Sequence, residues 1–275
     1  NNFKDNFDTL ILPVSKNRKI NSHNKELDKK INKYIELYSF SYSDDKFLSF
    51  DLEADNKLKQ IVLVNIDLPD KLQIRDTLFN VFGKISEKSK NILFINSDLF
   101  FDEYIITEIF ILRYYKFIKY IENSKKHKHH LFILTNKDID LSETIELTNS
   151  VNIVRDLVNE PSNVLYPETL AESALSLGEK YGFEVEVLNK KEIKKLKMEC
   201  FLKVGEGSDR EPTLIILRYH GNKNDKNKIA LIDKGVTFDS GGLSIKPSDS
   251  MIEMKSDMAG AAAVIAAIST ASKMK

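Results

Sequence analysis

Four short apolar runs in the first half of the chain limit its fold more than any other feature: TLILPV (9–14), IVLVNI (61–66), NILFIN (91–96) and HLFILT (130–135). Each has the length and the branched, apolar character of a buried strand. Longer stretches of helical periodicity lie between them. In DKLQIRDTLFNVFGKI, Leu72, Ile74, Leu78, Val81 and Phe82 recur at helical spacing; in DEYIITEIFILRYYKFIKYIEN, Ile105, Ile109, Leu112, Phe117 and Ile121 do so more strongly. Strands alternating with helices predict an α/β fold, a sheet flanked by helices. The charged stretch ENSKKHKHH (122–130) reads as a solvated loop, with His127, His129 and His130 on it and not in a metal tract.

The second half continues the pattern. SETIELTNSVNIVRDLVNEPSN predicts a connecting helix over 142–163, with Ser142 as N-cap and Pro161 as its stop. A helix over 167–182 begins at Pro167 and ends at Gly182. The strand FEVEVL, the helix KKEIKKLKM and the strands TLIILRY and KIALID follow. The expected division is therefore 1–141 for an N-terminal α/β domain, 142–163 for the connector and 164–275 for a second α/β domain.

Composition excludes some classes of function. The 41 basic and 41 acidic residues cancel, so no global field draws nucleic acid or an anionic membrane. No apolar run is long enough for a membrane span. Cys200 is the only cysteine, which excludes an internal disulfide or a multi-cysteine zinc site and fits a reducing, cytoplasmic setting. Residues 1–150 contain one glycine, Gly83, and hence no glycine-rich phosphate loop of a nucleotide binder.

The stretch KGVTFDSGGLSIKPSDSMIEMKSDMAG (234–260) carries the chemistry. Lys234 follows KIALID directly, where an open α/β sheet places its ligands. Asp239, Lys246 and Asp257 come five, seven and eleven residues after one another. Gly235, Gly241 and Gly242 allow backbone to approach a ligand, and Asp257 precedes a helix of small residues. Carboxylates are hard donors suited to manganese, magnesium or zinc, and neighbouring dications favour the neutral lysine amine that can coordinate. A protonated Lys246 suits a developing oxyanion. Ser240 lacks the first glycine of a nucleophile elbow, because Phe238 stands there, and the nearest histidine is His220.

KGVTFDSGGLSIKP followed by MIEMKSDMAGAAAV resembles the leucine aminopeptidase family of cytosolic two-metal peptidases. The likeness extends upstream through RDLVNEPSNVLYPETLAE and FLKVGEGSDREPTLI, so it covers the chain from about Val151. It implies a macrodomain-like N-terminal α/β domain, then an α/β two-metal peptidase domain. It also implies a hexamer acting on peptide substrates, and removal of N-terminal residues, leucine preferred, by a water activated by two divalent ions, manganese or zinc. By the same resemblance Lys234, Asp239 and Asp257 are metal ligands, Lys246 binds and polarises the substrate carbonyl, and Met254 lines the pocket for the first side chain.

Asp233, Glu199 and Ala259 depart from the family's usual small residues, and a carboxylate at 233 would change the charge beside the metals unless it points away, as alternate strand residues do. The family's remaining ligands lie in a segment close to N-T-D-A-E-G-R, beyond Lys275. The chain lacks an initial methionine and ends within a helical pattern, so both ends read as cut, and residues 1–275 alone are expected to be inactive. Asp249 and Glu253 read as exposed loop carboxylates. The alternative is a non-catalytic assembly or regulatory subunit that keeps the framework.

Overall fold

A computed structural model of the chain describes residues 6–54, 57–67, 71–98, 100–122, 129–222 and 224–274. The chain divides into two compact units, 1–145 and 146–275.

The first unit is a five-stranded sheet in the order β2-β3-β1-β4-β5. Its strands are β1 (Thr9–Val14), β2 (Phe47–Ala54), β3 (Lys57–Asn65), β4 (Asn91–Ile95) and β5 (His130–Leu134). All neighbours run parallel except β2, which pairs antiparallel with β3 at the edge. Helices α1 (Lys25–Leu37), α2 (Lys71–Gly83) and α3 (Glu103–Arg113) complete it.

Alternation along the strands builds two cores. Leu10, Leu12 and Val14 join Ile61, Leu63, Leu93 and Ile95 on the face covered by Leu27 and Ile31 of α1. Ile11, Val62, Val64, Ile92 and Phe94 face the other way, onto Leu78, Val81 and Phe82 of α2 and Ile106 and Ile109 of α3. Each such side chain, fully buried, contributes about 1.5–3 kcal/mol. The helix-flanked sheet is thus present, with two elements that the apolar runs did not reveal, α1 and β2.

Two local expectations are corrected here. The helix expected through Ile121 stops at Arg113. Tyr114 there packs edge-on against Phe110 and donates its hydroxyl to the Phe82 carbonyl at 3.0 Å, so tertiary contacts override the continuing helical period. Burial pushes the Tyr114 hydroxyl well above the usual tyrosine range. His127 lies outside the described residues, but His129 is not simply solvated: its Nδ1 is 2.6 Å from the Ser89 carbonyl and its ring lies against Tyr114. His130 opens β5.

α4 (Ser142–Asn159) begins at the end of the first unit and continues into the second, which also contains α5 (Pro167–Tyr181), β6 (Glu184–Leu188), α6 (Lys190–Lys195), α7 (Glu199–Val204), β7 (Leu214–Arg218), α8 (Ser248–Met251), a 3-10 turn (Ile252–Ser256) and α9 (Ala259–Lys273). Ser142 is the first helical residue of α4 and not its N-cap; its N–H donates to the Asp140 carboxylate at 2.9 Å. Pro167 opens α5, and Gly182 closes it with φ +82°, a left-handed cap that glycine takes without a Cβ penalty. Leu157 of α4, Leu170 and Ala174 of α5, and Met258, Ala262 and Ile265 at α9 form the core, backed by Val185, Ile215 and Leu217 of the β6–β7 pair.

KIALID is not a strand. Residues 224–247 contain no helix or strand, β7 pairs only with β6, and Ile229 and Ile232 are 91% and 92% exposed. An apolar run becomes a strand only when a neighbouring strand accepts its backbone hydrogen bonds, and no described strand does so. Among the described residues no helix is long and apolar enough to cross a membrane.

Candidate metal centre

The four charged residues singled out by spacing come together in the second unit. Lys234 Nζ lies 2.8 Å from Asp257 Oδ2 and 4.0 Å from Asp239 Oδ2. Lys246 Nζ lies 3.4 Å from the same Asp239 oxygen. Lys234 and Asp239 therefore reach the site from the irregular segment before α8, and not from the end of a strand, while Asp257 arrives from the turn before α9.

Local backbone chemistry fixes each group. The carbonyl of Lys234 accepts the Ala261 N–H at 3.0 Å, which ties the irregular segment to the first turn of α9. Gly235 fits beside that turn, since a Cβ there would lie 3.3 Å from the Ala261 methyl. The Asp239 carboxylate accepts the Gly241 N–H at 2.9 Å, and the Lys246 N–H closes the loop onto the Ser240 carbonyl at 2.9 Å. Gly241 sits at φ +90°, where an added Cβ would come 2.4 Å from the Ser244 carbonyl. Gly241→Ala is therefore expected to cost on the order of 1–3 kcal/mol in local strain. Urea unfolding checks the loss.

Two carboxylates and two ammonium groups balance one another. The Asp257 carboxylate, then Asp239, holds the Lys234 ammonium above the ordinary lysine range. The Gly241 N–H first, and Lys246 next, hold Asp239 below the usual carboxylate range. Asp257 Oδ2 is buried and lacks a well-aligned hydrogen bond, although the Lys234 ammonium stands 2.8 Å away. That oxygen has a charge partner and spare coordinating capacity. Two hard carboxylates and an amine suit a divalent ion, with the ion taking the place of the Lys234 proton. They make a partial shell: among the described residues no three His, Cys, Asp or Glu side chains cluster as a metal site.

Met254 lies on the 3-10 turn, half-buried, and its carbonyl accepts the Asp257 N–H at 3.3 Å. Asp249 and Glu253 are exposed. Asp233 lies outside any strand. Its carboxylate accepts the Lys234 N–H at 2.7 Å and lies against the first turn of α9, where a Cβ on Gly260 would be 2.2 Å from it. Strand alternation fails as a guide because Asp233 is not in a strand. A helix opening on Ala-Gly-Ala was the only sequence signal for this close approach.

Residues 152–275 match the model of the cytosol aminopeptidase family, catalytic domain. This segment belongs to the cytosol aminopeptidase family. A probable cytosol aminopeptidase of Clostridium perfringens is 35% identical over 97% of the chain and 58% of its own length. The chain thus spans a little over half the length of that relative. A probable cytosol aminopeptidase of Chlorobaculum tepidum is 54% identical over 123 residues, 45% of the chain and 24% of its own length. Among solved structures, the bottromycin maturation enzyme BotP superimposes with a TM-score of 0.77 at 20% identity, over 97% of this chain and 56% of its own; at that identity the likeness establishes the fold. The α/β architecture thus has a counterpart among solved structures, and the family match covers the segment that holds the four charged residues.

Proposed function

We propose that the protein is a metal-dependent aminopeptidase that releases N-terminal residues, leucine preferred, from peptides. The observation that carries this reading is the convergence of Lys234, Asp239, Lys246 and Asp257 within 4.0 Å ion-pair distances, inside the segment that matches a peptidase catalytic domain. Lys234, Asp239 and Asp257 hold part of a two-ion centre, manganese or zinc, with the remaining ligands supplied by chain beyond Lys275. Such a pair of ions, when bound, acidifies a water.

The other steps belong to the protein. Lys246, paired only loosely with Asp239, presents its ammonium to the substrate carbonyl and stabilises negative charge developing on that oxygen. The Gly241 N–H fixes Asp239, so the carboxylate that both lysines share does not swing away. Met254 lines the pocket for the substrate's first side chain. The protein works in the cytoplasm as a hexamer, without nucleic acid or membrane partners.

Release of leucine from leucyl amide in the presence of manganese tests this reading. A protein carrying the further segment found in the longer relatives is expected to turn over, and residues 1–275 alone are not. Turnover by neither supports the alternative, a non-catalytic subunit that retains the framework.

Ion uptake carries a pH signature. The paired Asp257 and Asp239 carboxylates keep Lys234 protonated, so binding at its amine must expel that proton. Manganese affinity is expected to rise with pH, by about tenfold per pH unit for one proton released. Titration calorimetry at several pH values measures the slope, and a flat profile contradicts a lysine ligand.

A further inference from the structure

The first unit holds a cleft that the peptidase reading leaves unused. In the sheet order β2-β3-β1-β4-β5, β1 connects through α1 toward β2 on one side, and β4 connects through α3 toward β5 on the other. The carboxyl ends of β1 and β4 are therefore a topological switch point, the place where open α/β sheets bind small molecules. A cleft opens there, floored by Leu12, Val14, Ile66 and Ile95. Its enclosed part measures ≈ 20 Å³, room for a methyl-sized tip.

Charge at the mouth narrows the class of ligand. Arg18 and Asp98 both line the cleft, and Arg18 Nη1 stands 3.8 Å from Asp98 Oδ2, a loose pair with both side chains at least half exposed. The Arg18 guanidinium also lies over the Phe100 ring at 4.7 Å, which orients its fork.

Buried and backbone bonds hold the surroundings. Ser15 donates to Asp67 at 2.8 Å, and Asn96 binds the Phe101 carbonyl at 2.8 Å and Glu103 at 2.9 Å. The N–H groups of Lys16, Asn17 and Arg18 are already engaged by Asp67, the Ser15 hydroxyl and the Ser15 carbonyl. With those donors occupied and no glycine nearby, the loop is poorly equipped to cradle a phosphate. A guanidinium fork instead matches a carboxylate, a neighbouring carboxylate matches an ammonium, and an apolar floor matches a hydrocarbon tip.

We propose that this cleft binds a free α-amino acid with an apolar side chain, its carboxylate on Arg18, its ammonium on Asp98 and its side chain on the Leu12–Ile95 floor. An aminopeptidase releases this class of molecule, so the cleft would sense product; that link rests on the proposed function, whereas the binding does not.

The test is calorimetric titration of the chelator-treated protein with L-leucine, which keeps the metal centre out of the measurement. Leucine is expected to bind at concentrations up to about 10 mM. Arg18→Ala and Asp98→Ala should each weaken it about tenfold or more, the effect of losing one charge-assisted contact. Asp257→Ala should leave it unchanged. L-Leucinamide, without the carboxylate, and 4-methylpentanoate, without the ammonium, should each bind about tenfold more weakly than leucine. These two analogues decide the matter even if a variant misfolds. Absence of leucine binding overturns the proposal, as does leucinamide or 4-methylpentanoate binding as well as leucine, or AMP binding in their place. Absence of peptidase activity in a protein carrying the further segment of the longer relatives, with leucine binding intact, would count against the proposed function alone.

Discussion

Lys246→Ala is expected to lower kcat/KM for leucyl amide by about 10²–10³-fold, the range for removing one preorganised donor from a developing oxyanion. The geometry favours this lysine over Lys234 for the proposed role. Lys234 is held by two carboxylates, at 2.8 and 4.0 Å, whereas Lys246 touches one at 3.4 Å and keeps donors free for a substrate oxygen. If Lys246 polarises the carbonyl, the loss falls mainly on kcat, and manganese affinity changes by only a few fold. Steady-state kinetics and ion titration on the same variant separate the two. Full activity in Lys246→Ala removes the lysine from the mechanism; equal losses of activity and ion uptake make it a structural support for Asp239.

The second large effect belongs to Asp257. Asp257→Asn keeps the shape of the side chain and removes its charge, leaving Lys234 with only the 4.0 Å contact to Asp239. Manganese affinity is expected to fall on the order of 100-fold, at the upper end of what supporting partners of a metal site cost and a lower limit for a direct ligand. Glu253→Gln is the control. Glu253 is four residues away, carries the same formal charge and is exposed. An equal loss in both variants would mean that general negative charge attracts the ion; a loss confined to Asp257 points to coordination.

How much was legible in the sequence follows from which forces act locally. β1, β4 and β3 from Ile61 onward were visible because strands buried on both faces are apolar throughout, and β5, half-buried at the edge of the sheet, is apolar on both faces too. β2 was not: FLSFDLEA alternates, with Asp51 and Glu53 exposed, as an edge strand does. α1 was hidden for a similar reason, because only Leu27 and Ile31 of its thirteen residues are buried. KIALID shows the opposite error, since composition records the apolar character of Ile229, Leu231 and Ile232 but not whether a partner strand pairs with them.

The site was more legible than its surroundings. Charges among glycines conflict with ordinary packing, and that conflict picked out Lys234, Asp239, Lys246 and Asp257 before any geometry was available. Their mutual distances had no periodic signal. They depend on the left-handed turn at Gly241 and on the bond from Ala261 to the Lys234 carbonyl, contacts set by the fold of the loop against α9. Strand alternation carries no information on Asp233, because no strand forms there.

The most direct measurement is manganese titration of the protein by calorimetry in two buffers of different ionisation enthalpy, repeated for Lys234→Ala, Asp239→Ala and Asp257→Ala. Uptake by the unaltered protein with release of a proton, weakened in all three variants and with the proton release lost in Lys234→Ala, is the result expected of a shared cation site. Binding of equal strength in the three variants, or uptake that releases no proton, would contradict it.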